Sequence, residues 1–86
     1  RMLKALSNPH RLSIFRRLAQ ARGEPLFVGE LGQELDLAPS TVSHHLKELA
    51  RAGLIHTERQ RQNIACAVNP DALGALAALP EFLTSE

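Results

Sequence analysis

The feature that most constrains this chain is a change of hydrophobic period late in the sequence. Val42, Leu46 and Leu49 recur at i, i+4 and i+7, the spacing of a buried helical stripe, whereas Ile64, Cys66 and Val68 alternate with Ala65 and Ala67 as a strand does. Between them lies Ala38 to Ile55, APSTVSHHLKELARAGLI, around which the rest of the chain is organised. Pro39 has no N–H to lose and a fixed φ, which suits the first turn of a helix; Gly53 can adopt a left-handed C-cap, and Leu54 opens the extended segment.

Stepping about 100° per residue from the buried stripe gathers Ser40, Ser43, His44, Lys47 and Arg51 on the opposite side of this helix, with His45 at the border between the faces and counted with them as a DNA contact. Hydroxyls first, then imidazole, then two cations make a face whose early turns can meet base edges and whose later turns can meet phosphates. Ser, Thr and His hydrogen-bond to either, so Thr41 joins the candidates, and the helix start from Ala38 to Thr41 offers free N–H groups to a phosphate. Upstream, Val28, Leu31 and Leu35 mark a shorter amphipathic helix, separated from the first by Asp36, Leu37 and Ala38, where a tight helix-turn-helix link falls.

The remaining elements follow in chain order. A first helix runs to Ser7; Asn8 caps a second, with Pro9 in its first turn, Leu12, Phe15, Leu18 and Ala19 toward the core and Arg11, Arg16, Arg17 and Arg22 toward water, ended by Gly23, Glu24 and Pro25. His56 to Arg59 pairs back across a tip near Gln60, Arg61 and Gln62, making a short two-stranded wing in which Arg59, Arg61 and Gln62 can reach DNA flanking the helix. Asn69, Pro70 and Asp71 open a last helix expected to reach Leu83, with Pro80 as a kink or early stop. The fold expected is mainly α with a small β-hairpin, a single winged helix-turn-helix domain over residues 1–86 in the order α-α-α-α-β-β-α.

Two phrases, ALSNPHRLSIFRRL near the start and STVSHHLKELARAGLI in the middle, resemble the ArsR/SmtB family of bacterial winged helix-turn-helix repressors, and the likeness spans nearly the whole chain. It implies a dimeric repressor whose first and last helices form the interface. The residues agree: Ala72 to Leu79 holds no charge, and a helix apolar around most of its circumference needs cover on more than one side. Met2, Leu3, Leu6, Ala72, Leu73, Leu76, Leu79 and Leu83 are the expected interface. The partner expected is an imperfect palindrome of double-stranded operator DNA, read in successive major grooves.

Composition narrows the field. Net charge is only +1, but residues 1–22 carry six Lys or Arg and no acid, so the basic charge is segregated. No apolar run is long enough for a membrane span, and the single cysteine excludes an intrachain disulfide framework, which points to a cytoplasmic protein; the resemblance implies a bacterial one. No nucleophile, base and orienting acid assemble and no Gly-rich phosphate loop is present, so an enzyme is not expected; a winged-helix module docking a protein partner stays open as the alternative. His10, His44, His45 and His56 include no i, i+4 pair, and Cys66 reads as a small core hydrophobe, so no metal site is expected within the chain.

The resemblance also speaks to the inducer. Where arsenic and cadmium sensors of the family carry cysteines at the third helix, this chain has Leu26, Phe27, Val28 and Gly29; where zinc sensors carry Asp and His on the last helix, it has Asp71 but no His. A third arrangement places cysteines beyond a phrase similar to Glu81, Phe82, Leu83 and Thr84. The chain begins at Arg1 without an initiator Met and inside a helical pattern, and stops at Glu86 without a terminator, so residues are expected beyond both ends. The resemblance therefore implies arsenite or another thiophilic ion held by cysteines outside residues 1–86, with a non-metal signal as the other reading.

Overall fold

A computed structural model describes residues 2–77, with side chains for 3–75. Five helices and three strands follow one another as α1 (Met2–Ala5), α2 (Pro9–Gln20), β1 (Leu26–Phe27), α3 (Val28–Leu35), α4 (Pro39–Arg51), β2 (Ile55–Gln60), β3 (Asn63–Val68) and α5 (Pro70–Ala77). Leu79, Pro80 and Leu83 lie outside the described residues. The helices form one layer around an aliphatic core of Ile14, Phe15, Leu18, Leu31, Val42, Leu46, Leu49 and Leu54, closed on the sheet side by Ile55, Cys66 and Val68. The winged helix-turn-helix architecture is as expected, with one addition.

That addition is β1. The sheet has three strands in the order β1-β3-β2, all antiparallel, with Leu26 opposite Cys66 and Phe27 opposite Ala65. Two residues carry no readable period, which is why the sequence predicts only a hairpin. With β1 on one side and β2 on the other, β3 is central, and Ala65 is buried as well as Cys66 and Val68. The strict alternation expected over 64–68 therefore gives way to burial on both faces.

Local chemistry sets the boundaries. The Asn8 side chain accepts from the amides of His10 (2.9 Å) and Arg11 (3.1 Å), so α2 starts where its cap residue stands. The Glu30 carboxylate accepts from the Phe27 amide at 2.9 Å, tying β1 to the first turn of α3. Between α3 and α4, Asp36 takes a left-handed conformation (φ 56°), and the Leu37 amide donates to the Gly32 carbonyl at 2.9 Å. A Cβ on Gly32 would stand 2.8 Å from the Leu37 carbonyl oxygen, so the tight turn requires glycine there. After α4, Gly53 (φ 78°) ends the helix as a Schellman motif, with Leu54 N–H on Leu49 and Gly53 N–H on Ala50. Asn69 then donates to the Gly53 carbonyl (2.9 Å) and accepts from the Asp71 amide (3.1 Å), joining the end of α4 to the start of α5.

Candidate nucleic-acid interface

Helix α4 presents most of the expected face. Ser40, His44, Lys47 and Arg51 are exposed and Thr41 and Ser43 half-buried, while Val42, Leu46 and Leu49 are sealed in the core. The N-cap Ala38 supplies no side-chain cap, so the first-turn N–H groups of α4 stay unengaged by side chains. Hydroxyl and amide donors thus cluster at one end of the helix, and an exposed cation, Lys47, follows two turns later.

The wing projects beside it. Arg59 lies opposite Ile64 and Gln60 opposite Asn63, leaving a two-residue loop of Arg61 and Gln62 at the tip. Arg61 takes a positive φ of 58°, the conformation that a two-residue hairpin loop demands and that glycine usually supplies. From His56 to Asn63 every residue is exposed, so Arg59, Arg61 and Gln62 all stand free for a partner.

Two residues are not where the sequence reading places them. His45, expected at the border of the exposed face, is only 6 % exposed; it lies on the stripe 42-45-46-49 and turns into the protein. Arg11, expected in water, occupies the matching stripe 11-14-15-18 of α2 and is half-buried. The two meet: Arg11 Nε donates to His45 Nδ1 at 3.4 Å, and an Arg11 Nη atom donates to the Ala5 carbonyl at 3.3 Å. Both residues sit at core spacing in their helices, and that spacing is the signal that could have located them. Burial, reinforced by the positive charge of Arg11 and the neighbouring His44 and His10, holds the His45 pKa below its ordinary value. The rings of His10 and His44 stand 6.3 and 5.4 Å from that of His45, so two helices bring three imidazoles together around it.

The expected dimer surface divides. Leu73 is the large apolar side chain left exposed among the described residues (38 %). Leu3 is half-buried, whereas Leu6 (7 %) and Ala72 (1 %) are already covered by the core of the same chain. Both belong to the core cluster of their own chain, so they offer little of the surface that the expected interface assigns to them. The side chains of Met2 and Leu76, and residues Leu79 and Leu83, lie outside what is described. Cys66 is buried, its thiol donating to the Leu26 carbonyl at 3.1 Å, and burial, with a smaller push from Glu30, raises its pKa to about 11. Among the described residues no group of three or more His, Cys, Asp or Glu side chains is arranged to hold a metal ion, and no helix is long and apolar enough to cross a membrane.

Comparison with known proteins decides what this geometry belongs to. Residues 6–58, from the end of α1 into the wing, match a family model described as a helix-turn-helix domain. The transcriptional activator HlyU of Vibrio cholerae is 35% identical over 78 residues, covering 91% of this chain and 69% of that protein. The biofilm growth-associated repressor of Agrobacterium fabrum is 37% identical over 87 residues, covering 93% and 72%. The crystal structure of an ArsR family transcriptional regulator, RHA00566, superposes with a TM-score of 0.75 at 28% identity over 90% of this chain and 76% of that one.

The chain belongs to the ArsR/SmtB family of winged helix-turn-helix regulators. Members of this family are DNA-binding transcriptional regulators, not enzymes. A structural neighbour, the homodimeric winged helix-turn-helix DNA-binding domain Mb0332 of Mycobacterium bovis, aligns with a TM-score of 0.76 at 26% identity, over 99% of this chain and 76% of that one.

Proposed function

We propose that this protein is a cytoplasmic, homodimeric transcriptional repressor that binds an imperfect palindromic operator and releases it on binding an inducer. The observation that carries the reading is the polar end of α4, where uncapped N–H groups, Ser40, Thr41, Ser43 and His44 share one surface with Lys47. In this arrangement the start of α4 enters the major groove and Arg59, Arg61 and Gln62 of the wing grip the flanking backbone and minor groove. Two copies would place their reading helices roughly 34 Å apart, one turn of B-DNA. Leu3 and Leu73, with Met2, Leu76, Leu79 and Leu83, supply the apolar contact between copies.

His45 does not belong to the reading surface in this proposal, because its ring is buried. The inducer is arsenite or another thiophilic ion held by thiols outside residues 1–86, a reading supported by the resemblance to sensors with cysteines beyond the last helix and by the burial of Cys66. Inducer binding acts by favouring a dimer whose helix spacing no longer fits the operator.

Operator binding by the full-length protein tests this. His44→Ala and Ser43→Ala are each expected to weaken binding while leaving the dimer intact; equal affinity for parent and both variants would remove α4 as the reader. Affinity should fall steeply with salt, because phosphate contacts release counterions, whereas a protein-docking module would respond weakly or ignore the DNA. Arsenite should lower operator affinity; binding that ignores it would keep the repressor and discard the thiophilic inducer.

A further inference from the structure

A groove of about 260 Å³ opens between α1, α2 and the end of α4, lined by Lys4, Ala5, Arg11, Glu48, Arg51 and Ala52. Three cationic residues from three helices line it, with one carboxylate. The carboxylate does little to quench them: a single contact of 3.4 Å joins Glu48 to Arg51, whose side chain is 78 % exposed and keeps most of its donors free. Arg11 is pre-set, its Nε on His45 and one Nη on the Ala5 carbonyl, with the rest of its fork unengaged by side chains.

We propose that this groove binds a small free phosphate-type dianion through Lys4, Arg11 and Arg51. The volume falls below the roughly 300–1,000 Å³ usual for drug-sized organic ligands, which suits an ion rather than a large effector. Tetrahedral oxygens accept several N–H bonds at once, and two guanidinium forks with an ammonium supply them at complementary charge. Arg51 lies roughly 16 Å along the axis of α4 from Ser40, at 1.5 Å per residue, so the groove is separate from the start of the reading helix. Because Arg11 also holds His45, an ion that engages Arg11 is felt by α4 next to His44.

The test is a titration of full-length protein with inorganic phosphate at constant ionic strength and without DNA, followed by calorimetry and by amide and arginine Nε–H resonances. One saturable site per chain is expected, with Lys4, Arg51, the Arg11 Nε–H and the His45 ring moving on one curve. The double variant Lys4→Gln/Arg51→Gln, altered only at exposed positions and checked by thermal melting, should raise Kd by about tenfold or more. Linear shifts, an unchanged Kd in the variant, or saturation centred on Ser40 to Lys47 or on Arg59 and Arg61 would overturn the proposal. Operator DNA that displaces phosphate one for one would overturn it too, by making the groove a contact for the DNA backbone. Since the first titration contains no DNA, its failure leaves the repressor reading standing.

Discussion

With its Nδ1 taken by Arg11, a buried His45 that gained a proton would set a largely desolvated cation beside the half-buried guanidinium. Its pKa therefore lies below the usual 6.5, first through burial and then through Arg11, His44 and His10. Below pH 6.5 the unfolded chain binds a proton that the folded chain resists, so the stability His45 contributes is present above that pH and lost as pH falls through the folded value. The urea midpoint is expected to drop between about pH 7.5 and pH 5.5, and His45→Gln, which can still accept from Arg11 but cannot titrate, should flatten that drop. The same slope in both proteins would assign it to other groups. Cys66 offers a second check on burial. A thiol held at about 11 and bonded to Leu26 yields little thiolate at neutral pH. Native protein should react with iodoacetamide about a hundredfold more slowly than protein in urea; comparable rates would mean that the β1 edge opens readily.

Among the elements, the link between α3 and α4 allows least change. Gly32→Ala places a methyl carbon 2.8 Å from a backbone oxygen rather than a flexible side chain, so the turn itself must move. We expect a loss of about 1–3 kcal/mol in denaturant unfolding, together with weaker operator binding than that loss alone would cause, because α4 is re-aimed. Helices were the legible part of this sequence: Pro39, Asn8 and Gly53 stand where they cap or end them, and the 42-46-49 stripe is sealed as its spacing predicts. Legibility failed where an element is too short for a period, as in β1, and where a polar residue sits on an apolar stripe, as with Arg11 and His45. In both helices position on the stripe outweighs polarity. At the wing tip, Arg61 adopts a glycine-like φ that no residue preference announces. For the interface, spacing showed which side of α1 is apolar but not that Leu6 and Ala72 are spent within their own chain.

At the scale of the whole molecule, Leu73 tests assembly. It is exposed while its neighbour Ala72 is sealed, so a charge at 73 should spare the fold and burden the contact between copies. Leu73→Asp is expected to keep the helical signal in circular dichroism, shift sedimentation toward a monomer, and reduce operator affinity; a variant that remained dimeric would move the interface elsewhere. The three-stranded order carries a further consequence. Because β3 is bonded to β2 on one side and to β1 on the other, and β1 is tied through Phe27 and Glu30 to α3, the wing is bolted to the helix-turn-helix. In the proposed complex, α4 and the wing, joined in this way through the sheet, meet DNA as one unit. Such a unit cannot loosen its grip finger by finger. In the proposed dimer, a tilt of a few degrees where two copies join would be magnified toward the far end, so a signal that only nudges the joint would lift both wings from the operator together.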